Sequence, residues 1–77
     1  MNNLDLRQAI IANVHANTTA ELKEVIEGSV GNDERTLPGL GVLFEMIWKQ
    51  INVQEQDQLV QALHSHLQQV EVKQPIV

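Results

Sequence analysis

The chain contains no cysteine and no tyrosine, one phenylalanine, one tryptophan, two prolines and four glycines. Without cysteine there is no disulfide, no thiolate ligand and no thiol nucleophile, a usage that fits a reducing compartment. No metal staple is visible, so stability has to come from the packing of apolar side chains. Cations are scarce too. Arg7, Lys23, Arg35, Lys49 and Lys73 are the full set, against ten carboxylates, for a formal net charge of −5. They are scattered along the chain, so long-range repulsion and weak counterion release disfavour a nucleic-acid partner and argue against a sequence-independent coat on DNA.

A long apolar run is also missing. The most apolar stretch, Leu37 to Trp48, is about a dozen residues, whereas a membrane span needs ~20. It reads as a buried core helix, and no membrane association is expected. The opening Met1-Asn2-Asn3-Leu4-Asp5 has no basic segment leading into an apolar core, so no secretory signal is expected and the chain reads as intracellular.

What is present is helical spacing. A chain of 77 residues allows one domain and buries only roughly 60 to 65% of its unfolded surface. Leu6, Ile10 and Val14 recur at four-residue intervals, which predicts a first helix from about Asn3 to Ala16, with Asn3 as cap and Asp5 near the positive end. Thr18-Thr19-Ala20-Glu21 offers a capping box for a second helix carrying Leu22, Val25, Ile26 and Val30 on one face. Gly31 is a natural left-handed terminator, and Gly28 is a candidate for close approach of a neighbour. After the polar loop 32–36, Pro38 suits a helix start. Leu40, Leu43, Phe44, Ile47, Trp48 and Ile51 then define a wide apolar face, with Val42 and Met46 on its flank and Asn52 as the stop. A helix this apolar needs several packing partners. The last helix, about 54–69, places Val60, Leu63, Leu67 and Val70 at heptad-like spacing beside Leu59. About two heptads are short for a coiled-coil seam, so the stripe reads as an intramolecular core face.

The expected fold is therefore all-α: a compact bundle of four short helices around a central apolar helix at about 40–51. Residues 1–70 form a single helical domain, and 71–77 a flexible C-terminal tail.

The polar residues fall into no reactive pattern. His64 and His66 are two apart, so a helix points them about 200° from each other, and His15 is remote. No metal site is expected. Asp33 and Glu34 lie in the loop, and Glu21, Glu24 and Glu27 line a solvated edge with nothing apolar beside them in sequence to raise a carboxyl pKa. Ser29 and Ser65 have no nucleophile-elbow context. Gly39 and Gly41 lack the Gly-Lys-Ser/Thr ending and preceding strand of a phosphate loop. They read instead as places where another backbone comes close. No enzyme activity, cofactor or small-molecule substrate is expected. The central helix is more apolar than three short neighbours cover, which makes Val42, Met46 and Trp48 a candidate partner or dimer surface, for an unknown protein or for self-association.

Two stretches carry a resemblance. Leu4-Asp5-Leu6-Arg7-Gln8-Ala9-Ile10-Ile11-Ala12-Asn13-Val14 and Leu37-Pro38-Gly39-Leu40-Gly41-Val42-Leu43-Phe44-Glu45-Met46-Ile47-Trp48, in this order and separation, resemble the small, acid-soluble spore protein I family of endospore-forming bacteria. The resemblance covers most of Leu4 to Ile51, and the run from Pro38 to Glu45 is its most specific part. It implies a minor protein of the forespore and spore core during sporulation; the apolar excess of the central helix adds the expectation of a structural or interaction role there. It implies no reaction and no site residues. The major DNA-coating spore proteins are a different family, and their characteristic Thr-Glu-Phe/Ile-Ala-type protease site is absent here. The alternative reading is a weak nucleic-acid-associated protein of the spore core.

Overall fold

The computed structural model describes residues 3–72, with side chains from Leu6 onward. Four helices follow in order: α1 (Asn3–Val14), α2 (Thr19–Ser29), α3 (Leu37–Gln50) and α4 (Val53–Leu67), with a short 3-10 turn at Glu34–Thr36 leading into α3. No strand occurs among the described residues. The all-α, four-helix architecture expected from the apolar spacing is what forms. The capping expected of the Asn3 side chain, the placement of the Asp5 side chain and the tail from Lys73 to Val77 lie outside the described residues. Glu71 and Val72 follow α4 as exposed, non-helical chain.

Local chemistry sets the helix ends. At the start of α2 the Glu21 amide donates to Thr18 Oγ1 at 3.1 Å, while the Thr18 amide donates to Glu21 Oε1 at 2.8 Å. This reciprocal pair satisfies two donors that the first turn leaves without helical acceptors. Gly31 follows the end of α2 with φ of 70°, the left-handed conformation that costs a side-chain-bearing residue about 1–2 kcal/mol. Asp33 Oδ1 then accepts from the Arg35 amide at 2.8 Å and caps the 3-10 turn. Its last residue, Thr36, holds its hydroxyl 3.2 Å from the Ser29 carbonyl, which ties the loop back to α2. Pro38 sits in the first turn of α3, where its missing N–H costs nothing. The helix therefore begins at Leu37 with Pro38 in the expected place, three residues before its apolar face opens at Leu40.

The helix end at Asn52 is richer than a stop signal. Asn52 Oδ1 accepts from the Glu55 amide at 2.8 Å and the Asn52 amide donates to Glu55 Oε1 at 3.0 Å, a second capping box. The Gln56 side chain donates to the Trp48 carbonyl at 2.9 Å across the same corner. These bonds fix the direction in which α4 leaves α3.

α3 is the hub. Its Val42 and Leu43, each 8% exposed, are the two buried apolar residues among those described. α1 crosses it at Gly39, where the Cβ of any larger residue would lie 3.2 Å from Ile10 Cδ1. The close approach expected at this glycine therefore comes from a side chain, not a backbone. Gly41 and Gly28, also expected to admit a neighbour, have open space where a Cβ would point, with nothing within 4 Å. α2 contributes half-buried Leu22, Val25 and Ile26, while Val30 is exposed. On α4 every residue except half-buried Gln56 is exposed, including Leu59, Val60, Leu63 and Leu67. Its stripe, expected to be an intramolecular core face, lies open, because the capped two-residue corner directs α4 away from the first three helices.

The glycines give a direct test. Gly41→Ala adds a methyl in open space on a helix and should raise stability by about 0.5–1 kcal/mol. Gly31→Ala meets a left-handed backbone and should lower it by about 1 kcal/mol. Urea denaturation of the two variants checks both signs; equal effects would contradict a helical Gly41 beside a left-handed Gly31.

Candidate interaction surface

The three side chains expected to form a partner surface do not lie together. Val42 is buried and offers no surface to a partner. Its flank position meets α1, where Leu6 and Arg7 face Val42 and Glu45 across a shallow cleft. Met46 and Trp48 are half-buried. They are two residues apart on one helix and so point about 200° from each other. Met46 lines the groove between α2 and α3. Trp48 packs its ring 5.8 Å from that of Phe44, tilted by 40°, an edge-offset geometry favourable for aromatic pairs.

Among the described residues the uncovered apolar surface lies in three places, one of which Met46 lines. A groove of about 780 Å³ runs between α2 and α3, floored by Leu22, Ile26, Leu43, Met46, Ile47 and Ile51, with Lys23 and Glu27 at its edge. On the opposite side of α2 a second groove of about 540 Å³ lies against α1, lined by Leu6, Ile10, Val25 and Leu40 among others. The third is the stripe of α4, where Leu63 is 57% exposed. α2 therefore rests on α3 along one narrow line, with apolar hollows on both sides. The heptad-like spacing of α4 is the signal in the sequence for this third surface. That spacing marks a face to be buried and is equally consistent with an internal or an external partner.

Several polar side chains are occupied in holding the fold. Arg7 reaches from α1 to α3 and donates from Nε and a terminal guanidinium nitrogen to the two carboxylate oxygens of Glu45, at 2.7 and 2.8 Å. These hydrogen bonds hold the Glu45 carboxyl below the usual carboxylate range and raise the Arg7 guanidinium. Arg35 does the same to Asp33, through its side chain first and its backbone amide second. Ser29 donates its hydroxyl to the Val25 carbonyl at 3.0 Å. His64, His66 and Ser65 are exposed, and among the described residues no three His, Cys, Asp or Glu side chains gather as a metal site. Gly39 and Gly41 lie within helix α3, not in a loop. Among the described residues no helix is long and apolar enough to cross a membrane.

Comparison with known proteins agrees with the two stretches singled out above and extends them. A family model described as small, acid-soluble spore protein I matches residues 4–67, which runs past Ile51 to the end of α4. Relatives carrying that name are 43% identical over 67 residues in Halalkalibacterium halodurans, covering 86% of this chain and 98% of the relative. In Geobacillus kaustophilus the relative is 43% identical over 67 residues, covering 86% and 97%. In Bacillus cytotoxicus it is 41% identical over 66 residues, covering 84% and 94%. No solved structure matches.

The ion pairs make stability depend on pH. Glu45 and Asp33 have folded-state pKa values below their unfolded ones, so the stability they contribute is present above the unfolded carboxylate range and is lost as pH falls through the folded values. Urea midpoints measured down an acid series should fall, and Glu45→Gln should remove part of that slope; an unchanged slope would mean that the ion pair with Arg7 contributes nothing. Half-buried Trp48 replaced by Ala should cost on the order of 2 kcal/mol, short of the ~3–5 kcal/mol of a fully buried tryptophan, as read by the same denaturation.

Proposed function

Because this chain belongs to the small, acid-soluble spore protein I family, we propose that it is a minor, non-enzymatic protein of the forespore and spore core that acts by contact, through apolar helix surface left uncovered in the monomer. A spore-associated role follows from the family. The observation that supports contact as its mode of action is the stripe of α4, with Leu59, Val60, Leu63 and Leu67 all exposed on one helix. Monomeric soluble proteins rarely leave contiguous apolar surface of this kind without a binding role. The polar side chains support the same reading. The carboxylates with shifted pKa values, Asp33 and Glu45, are each held by an arginine, and both are shifted downward, away from the raised values that suit proton transfer near neutral pH.

Nucleic acid gains no support from the structure. Two of the five cations, Arg7 and Arg35, are paired with carboxylates, and the formal charge of −5 opposes phosphate. Titration of duplex DNA at ~50 mM salt, where phosphate contacts are strongest, should give no binding.

The contact role is tested in the spore. A chain carrying a photo-crosslinking residue in place of Leu63, expressed during sporulation, should fractionate with the spore core and give adducts on illumination. Accumulation in the mother cell would sink the placement, and a core protein that gives no adduct would sink the contact role.

A further inference from the structure

The molecule exposes far more surface than its mass requires. Its accessible area is 6842 Å², where a compact monomer of 8.7 kDa exposes roughly 4,700 Å². Its radius of gyration is 14.9 Å, where a compact domain of this length has about 11.5 Å. The difference in area is about 2,100 Å² per chain, well above the ~800 Å² per partner that a stable interface needs.

The excess has two complementary parts. One is convex: the amphipathic helix α4, with Leu59, Val60, Leu63 and Leu67 exposed. The other is concave: the groove of about 780 Å³ between α2 and α3, floored by apolar side chains. An amphipathic helix laid in an apolar groove is a recurrent mode of recognition. The groove edge carries one charge of each sign, Lys23 and Glu27, so it does not repel the acidic first turns of α4 with Glu55 and Asp57.

The helix cannot fill the groove of its own chain from where it stands. Ile51 lines that groove, and α4 starts two residues later at Val53. Folding back would swing α4 about the corner, breaking the Asn52–Glu55 box and the bond from Gln56 to the Trp48 carbonyl. A second copy meets no such obstacle. Each copy carries both the helix and the groove, so a two-fold arrangement closes with both sites filled and no open end.

We propose that the protein forms a homodimer by reciprocal docking, α4 of each copy lying in the α2/α3 groove of the other. This identifies the partner of the α4 stripe as a second copy of the chain, and it rests on the reading of that stripe as a contact surface.

The cysteine-free sequence makes the test clean. Sedimentation equilibrium of the full chain should give twice the monomer mass of 8.7 kDa at micromolar concentration, and Leu63→Asp should give the monomer with its helical circular dichroism retained. Ile47 and Leu63 are both exposed in the monomer, so Ile47→Cys and Leu63→Cys variants keep the fold. Mixed and oxidised, they should form predominantly the disulfide between an Ile47→Cys copy and a Leu63→Cys copy. A full chain that remains monomeric at every concentration overturns the proposal, and so does a mixture dominated by Leu63→Cys homodisulfides, which would mean that the α4 stripes pair with each other. A monomer that still gives Leu63 adducts to another protein in spores would overturn self-docking while leaving the contact role standing.

Discussion

α3 carries more apolar side chain than its neighbours cover, and the rest of the molecule is arranged around that shortage. Val42 and Leu43 are buried because α1 and α2 converge there, and Gly39 lets Ile10 of α1 settle close to the α3 backbone. Beyond this line the cover thins quickly. Phe44, the next residue, and Ile47, one turn further on, are exposed. The two residues buried among those described supply little of the burial free energy that offsets chain entropy in a domain of this size. The stability of the monomer therefore rests on half-buried contacts such as those of Ile10, Leu22 and Ile26 with α3, helped by capping at the helix ends, while the exposed bridge from Arg7 to Glu45 links α1 to α3 but adds little.

Those end bonds also decide the shape. Capping satisfies backbone donors that would otherwise need water, and at Asn52 it does more, because the capped residue is also half of the connection between two helices. With the Gln56 side chain bound to the Trp48 carbonyl, the direction of α4 is set by local hydrogen bonding before any apolar packing acts on it. The result is a helix with a good amphipathic face and nothing against it. In this member of a spore-protein family, that open face and the groove beside α2 are the features on which the proposed role by contact rests, with a second copy as the proposed occupant.

Much of the fold is legible along the chain. Thr18 with Glu21, Gly31 and Pro38 mark helix ends by mechanisms that act within four residues, so they can be read without knowing what packs where. Asn52 and Glu55 stand at the same spacing as Thr18 and Glu21 and form the same box, so this residue begins α4 as much as it stops α3. The candidate surface was not legible. Val42, Met46 and Trp48 are apolar residues of one helix, and no local rule says which of them a neighbour will cover. α1 arrives over Val42 and removes it, while Met46 and Trp48 turn to opposite sides.

The all-α class, most helix ends, the central rank of the Leu37–Trp48 segment and the family could all be read from the order of residues, because each depends on near-neighbour spacing or on the order itself. Which apolar faces meet is a matter of how the helices are placed in space. The stripe on α4 has the same spacing whether it lies in its own core or in a groove of another copy, since amphipathic spacing specifies that a face is to be buried and leaves open against what. A two-residue corner, held by one capping box and one side-chain bond, made that choice.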